Sequence, residues 1–165
     1  MKKQCMVILV DNNSGVLARV SSLFMQRGFN IDSLTVSSTE DPKISRITVM
    51  CTGDKKSFSQ ILNQTAKLVE TKMIFSVEPS FSLIRELLLV KFSTEHGDVA
   101  ELKKVIEDFG GSVIDITSGC FVVELSASSQ KIDDFLEATS SFDMIELCRS
   151  GAIAMERGKV AYDMD

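Results

Sequence analysis

The residues whose types and spacing suit small-molecule chemistry lie together: Asn12, Asn13, Ser14 and Gly15, between a short apolar run and an amphipathic segment. A strand-to-helix junction of this kind exposes the first backbone N–H groups of a helix. Those groups carry partial positive charge and suit a carboxylate. Gly15 has no side chain to bar approach to that backbone, and the Asn12 amide both donates and accepts. Such a junction would hold the two polar groups of a free amino acid. The plainer reading is a turn with Ser14 as helix N-cap. Asn30, after Gly28 and Phe29, is either a local turn residue or a second amide aimed at a ligand. A second chain pairing beside this one could bring its Asn30 near Asn12.

Catalytic constellations are missing from the sequence. There is no G-x-S-x-G, H-E-x-x-H, P-loop or G-x-G-x-x-G run. The carboxylates Glu40 and Asp41, Asp133 and Asp134, and Asp163 and Asp165 read as solvated turn, helix surface and terminus. No further carboxylate or histidine stands near Glu40 and Asp41 to complete a metal site. The single histidine, His96, reads as a loop residue, and Cys5, Cys51, Cys120 and Cys148 as reduced, buried thiols without a C-x-x-C pair. No activated nucleophile or acid–base pair can be assembled, so an enzyme is not expected. The net charge is −5, with scattered basic residues, which disfavours nucleic acid. No apolar run reaches the ~18 residues of a membrane helix. The opening residues carry neither signal-peptide nor transit-peptide character, and a cytoplasmic protein is expected.

Two rounds of the same elements must position these residues. Residues 5–10 read as a buried strand, and Val16, Leu17, Val20, Leu23 and Phe24 as one face of a helix stopped by Gly28. Residues 31–38 and 44–51 alternate about Asp41-Pro42-Lys43 as a hairpin. Asp54 caps a second helix whose inward face runs from Phe58 through Ile61, Leu62, Thr65 and Leu68 to Val69, and residues 73–77 close the round. Glu78-Pro79-Ser80 breaks the pattern, and a second β-α-β-β-α-β round follows. In it, residues 83–92 form a strand and Val99 to Phe109 a helix ended by Gly110-Gly111. A hairpin turns about Ser118-Gly119, Ser128 or Ser129 caps another helix, and residues 144–148 are the last strand. The pairs Gly15/Gly97 and Gly28/Gly110 share one offset of 82 residues. The fold class is therefore α+β: two tandem ferredoxin-like βαββαβ domains, at 1–78 and 79–165.

The run from Val10 to Val20 resembles the effector-loop start of an ACT domain. More specifically, segments 12–17, 26–36, 41–48, 85–91 and 149–158 resemble, in order, the small subunits of acetohydroxyacid synthase (acetolactate synthase). The resemblance implies an N-terminal ACT domain and a non-catalytic regulatory subunit. It implies a homodimer through the ACT domains, with valine or another branched-chain amino acid at their interface. The implied effector residues are Asn12, Asn13, Ser14, Gly15, Val16 and Leu17 of one chain with Asn30 and Ile31 of the other. It also implies a separate catalytic subunit carrying thiamine diphosphate, Mg and FAD, activated by this chain and inhibited through it by valine; no cofactor is expected in this chain. The matching loop of the second domain, Thr94-Glu95-His96-Gly97-Asp98, lacks the asparagine-serine-glycine run, so no second site of this kind is expected. The alternative from another class is a free-standing amino-acid-sensing ACT-domain regulator of transcription or signalling. No helix-turn-helix segment is visible to support it.

Overall fold

The computed structural model describes residues 2–95 and 98–158. His96, Gly97, Asp163 and Asp165 lie outside the described residues, and with them the Gly15/Gly97 correspondence. By compactness the chain divides into one unit of residues 1–83 with 152–165, and another of residues 84–151. The sequence expectation grouped 79–165 together; the segment from Ala152 instead counts with the first unit.

In the first unit, strand β1 (Lys2–Asp11) leads to helix α1 (Val16–Gln26), the hairpin β2 (Ile31–Ser38) and β3 (Ile44–Gly53), helix α2 (Lys55–Thr65) and β4 (Thr71–Val77). The sheet order is β2-β3-β1-β4, antiparallel throughout. Helix α1 forms because Val16, Val20 and Phe24 recur every fourth residue, and all three are buried. They meet Met6, Ile8 and Val10 of β1 and Ile47, Val49 and Cys51 of β3 in one core. Full burial of a side chain the size of Phe24 contributes about 1.5–3 kcal/mol. The alternate residues of β1, Cys5, Val7 and Leu9, are buried as well, so this strand is covered on both faces.

Helix α1 stops as the sequence suggested. Gly28 has φ +67°; its N–H donates to Met25 O, and the Phe29 N–H donates to Phe24 O at 3.0 Å. This is a Schellman motif, closed by edge-on contact of the Phe24 and Phe29 rings at 6.5 Å. Asp54 caps α2 through a 2.9 Å bond from the Ser57 N–H. Two details differ from the sequence reading. The register of β2 shifts between Ile31 and Ser33, so strict alternation fails and both Ile31 and Leu34 pack on the core. Helix α2 ends at Thr65, which leaves Leu68 against the core and Val69 89% exposed.

A 3-10 turn (Pro79–Phe81) precedes the second unit. That unit comprises β5 (Ser82–Ser93, from its third residue), α3 (Val99–Asp108), β6 (Ser112–Thr117), β7 (Cys120–Ala127), α4 (Ser129–Ala138) and β8 (Met144–Arg149). Its strands run in the order β6-β7-β5-β8. Leu88, Val90 and Phe92 of β5 pack with Leu102 and Ile106 of α3 and Ile132 and Phe135 of α4. Gly110 (φ +73°) and Gly111 donate to Glu107 O and Ile106 O, so α3 ends in the same motif as α1. Ser128, not Ser129, is the cap of α4. Beyond Gly151, a strand that the sequence reading missed, β9 (Ile153–Glu156), belongs to the first unit.

Candidate functional site

The loop ahead of α1 is shaped by its neighbours rather than by its own side chains. The Asn12 N–H donates to Lys43 O at 2.6 Å, and Asn12 Nδ2 donates to Pro42 O at 2.9 Å. Both bonds tie the loop to the turn between β2 and β3. The asparagine's carbonyl oxygen is left as an acceptor without a partner among the described residues. Asn13 donates to Asp11 O at 2.9 Å, and the Val16 N–H to Asn13 O at 3.4 Å. Asp11 is paired with Lys72 at 2.9 Å, and Arg19 with Glu70.

The N-cap position is Gly15, not Ser14. Its φ of +87° turns the chain into the helix by a left-handed residue, so no side chain stands where a capping oxygen would. The first turn of α1 holds no acidic residue, and the N–H groups of Leu17 and Ala18 find no acceptor among the described residues. The second unit shows the opposite arrangement. There Asp98 caps α3 and accepts from the Ala100 and Glu101 N–H groups at 2.9 and 3.1 Å. A carboxylate of the protein's own occupies the helix end of the second unit, whereas the corresponding end in the first is open. Gly15 has open space where a Cβ would project.

The other residues marked from sequence fall in three places. Val16 is 5% exposed and points into the core, so it contributes backbone only. Leu17, 42% exposed, lies beside the open helix end. Asn30 and Ile31 are elsewhere: Ile31 pairs with Cys51, while Asp11, next to Asn12, pairs with Ile44. Seven residues of β3 separate those rungs, about 24 Å at strand rise. Within one chain, then, Asn12 and Asn30 stand at opposite ends of the sheet. Asn30 Nδ2 donates to Asp32 Oδ1 at 3.1 Å, and the other oxygen of Asp32 accepts from the Thr52 hydroxyl at 2.7 Å.

Two of the four thiols are buried as expected. Burial, with the nearby Cys51 adding, pushes Cys5 up to about 12, and burial with Asp32 pushes Cys51 up to about 11. Cys120 is half-buried, and Cys148 is exposed, contrary to the sequence reading, because its edge strand places it on an uncovered sheet face. Asp133, read as solvated surface, joins a network that the sequence did not reveal. The buried Glu86 carboxylate accepts from Arg149 Nε and Nη2 at 2.9 and 2.6 Å and from the Ser129 hydroxyl, while Arg149 Nη1 reaches Asp133 at 2.6 Å. Burial opposes the Arg149 charge, but the bonds to Asp133 and Glu86 outweigh it and hold the guanidinium above its ordinary pKa. A lone glutamate in the apolar run of β5 was the available signal. Among the described residues, no three His, Cys, Asp or Glu side chains cluster as metal ligands, and no helix is long and apolar enough to cross a membrane.

Two tandem βαββαβ units, the first with an open glycine-led helix end above its sheet, define an ACT-domain protein. Residues 6–72 match the ACT domain of acetohydroxyacid synthase small-subunit-like proteins, and residues 85–158 match the small subunit of acetolactate synthase. The chain is 38% identical to the acetolactate synthase isozyme 3 small subunit of Escherichia coli, over 94% of this chain and 96% of that protein. It is 36% identical to the small subunit of Buchnera aphidicola from Schizaphis graminum, over 94% of this chain and 99% of that one. A crystal structure of the Thermotoga maritima acetolactate synthase small subunit superposes with a TM-score of 0.88 at 33% identity, covering 97% of this chain and 100% of that one. The chain belongs to the acetolactate synthase small-subunit family.

Proposed function

We propose that this chain is the non-catalytic, cytoplasmic regulatory subunit of an acetolactate synthase. In this reading it activates a separate catalytic subunit and carries feedback inhibition by valine or another branched-chain amino acid. Thiamine diphosphate, Mg and FAD would stay with the catalytic partner. The observation that carries the reading is the uncapped N-terminus of α1 beside an unpaired asparagine carbonyl, set against the Asp98-capped α3. The effector carboxylate takes the Leu17 and Ala18 N–H groups, which gain an anion at the positive end of a helix. Its ammonium takes the Asn12 carbonyl oxygen. Its branched side chain lies against Leu17 and the partner's strand.

The site needs two chains. Strand β2 is one edge of its sheet, β4 the other, and Asn30 lies at the opposite end from Asn12. Antiparallel pairing of β2 with its copy across a twofold axis turns one sheet end toward the other, and so carries the Asn30 end of one chain toward the Asn12 end of its partner. A ligand bound between two copies favours one assembly state by its differential affinity.

Calorimetric titration with valine, leucine and isoleucine, with glutamate as charged control, tests the site. Saturable binding of a branched-chain amino acid is expected, at least tenfold weaker in Asn12→Ala and in Asn30→Ala. Unchanged affinity in both variants would refute the assignment. Co-purification with the catalytic subunit tests the partner, and turnover of pyruvate by this chain alone would overturn the non-catalytic reading.

A further inference from the structure

The segment after Gly151 is built as part of the first unit. Ala152 and Ala154 are 0% and 4% exposed, while their neighbours Ile153 and Met155 are 57% and 66% exposed. The strand thus presses its small residues inward and turns its large ones out. Three bonds fix it. The Ala152 N–H donates to Ser33 Oγ on β2 at 3.4 Å, Arg46 Nη2 on β3 donates to Ala154 O at 2.6 Å, and the Arg157 N–H donates to Phe81 O at 2.9 Å. Arg46 is itself seated over the Phe75 ring of β4 at 5.9 Å. The segment therefore spans edge strand β2, strand β3 and the turn after β4. On its other side it is the direct continuation of β8, whose last residue, Arg149, is held by Glu86 and Asp133.

We propose that residues 152–158 are a strap of the effector-binding unit, holding β2 in place and so setting the affinity of the site to which Ile31 of β2 and Asn30 just before it belong. This rests on the effector reading above for its ligand, but not for its structural part. Within one chain the edge strand β2 pairs with one neighbour only, β3, so few backbone bonds hold it when the strap leaves. The strap makes the first unit's order conditional on a segment that the second unit delivers.

The test compares the full chain with chains ending at Gly158 and at Gly151, by amide hydrogen exchange and by valine titration. In the chain ending at Gly151, the amides of β2 are expected to exchange at least tenfold faster, those of β7 to stay within about twofold, and valine to bind at least tenfold more weakly. The chain ending at Gly158 should match the full chain. If the shortest chain does not fold, full-length Ala154→Asp carries the same comparison, because it forces a carboxylate into a position 4% exposed. Unchanged β2 exchange would overturn the strap. Faster β2 exchange with unchanged valine affinity would overturn its coupling to the site. If no chain binds valine, the effector reading fails and the exchange comparison still decides the strap.

Discussion

Replacing Arg149 by methionine should destabilise the second unit far more than an exposed ion pair would suggest. The Glu86 side chain is 5% exposed, and one of its oxygens takes both Arg149 bonds. Removing the arginine leaves a buried carboxylate with the Ser129 hydroxyl as its remaining donor among the described residues. Breaking a buried pair from one side costs about 3–5 kcal/mol. The Asp133 arm adds little, since that side chain is 40% exposed and water screens it; exposed pairs contribute about 0–1 kcal/mol. A loss of about 3 kcal/mol is therefore expected. The double variant Glu86→Leu/Arg149→Met removes both charges and should recover to within about 1.5 kcal/mol of the parent, because an apolar pair of similar volume replaces a buried ion pair at small cost. Urea unfolding of the full-length variants, read through exchange protection of the β7 amides, measures both. Strict additivity of Glu86→Leu and Arg149→Met, or a single-variant cost below about 1 kcal/mol, would refute the view that Arg149 chiefly compensates a buried charge.

Further outcomes follow from local geometry. Gly28→Ala meets open space but must hold a φ of +67°, so it should cost about 1–2 kcal/mol in thermal or urea unfolding. Gly53→Ala has no such φ, but its Cβ would lie 2.9 Å from Phe29 Cε1, so its cost should shrink when Phe29 is replaced by leucine, and that of Gly28→Ala should not. The Thr65 hydroxyl is buried without a hydrogen-bond partner among the described residues. Thr65→Val should therefore be neutral or stabilise by up to about 1 kcal/mol, measured by urea midpoint. With a thiol reagent, Cys148 should react first in the native protein, and Cys5 and Cys51 only on unfolding. Because burial raises Cys5 to about 12 and Cys51 to about 11, the folded state keeps protons that the unfolded chain releases above its ordinary thiol pKa. Stability should hold below that range and fall as pH rises through it toward 11–12, less steeply in Cys5→Ala, as read by unfolding midpoints against pH.

Much of this was legible because local chemistry and tertiary structure agree. The fourfold spacing of Val16, Val20 and Phe24, the stop at Gly28 and the cap at Asp54 each have short-range causes, and each stands as read. What was not legible depends on long-range contacts. The shift at Ile31/Ser33 reflects the pairing of β2 with β3, and no rule of alternation contains it. Ser14 looked like a cap because its type is right, but the left-handed turn at Gly15 takes the capping position. Asp133 looked solvated because its partner, Arg149, is 16 residues away in sequence. The four-residue strand Ile153–Glu156 was too short to stand out, and its role depends on Arg46, 108 residues from the carbonyl it meets. At the candidate site, the types and spacing of Asn12 to Gly15 pointed to the loop. The distance between the Asn12 and Asn30 ends needed the register.

The return of the chain after Gly151 also sets an order of events during synthesis. Residues 84–151 are contiguous and can complete their core as soon as they leave the ribosome. The first unit emerges earlier, yet lacks its last strand until those 68 residues have been made. At about 5–20 residues per second, that is a wait of roughly 3–14 s. During it, the sheet face meant for Ala152 and Ala154 stays open to water and to other nascent chains. Translation would thus complete the first unit only after residues 152–158 have left the ribosome.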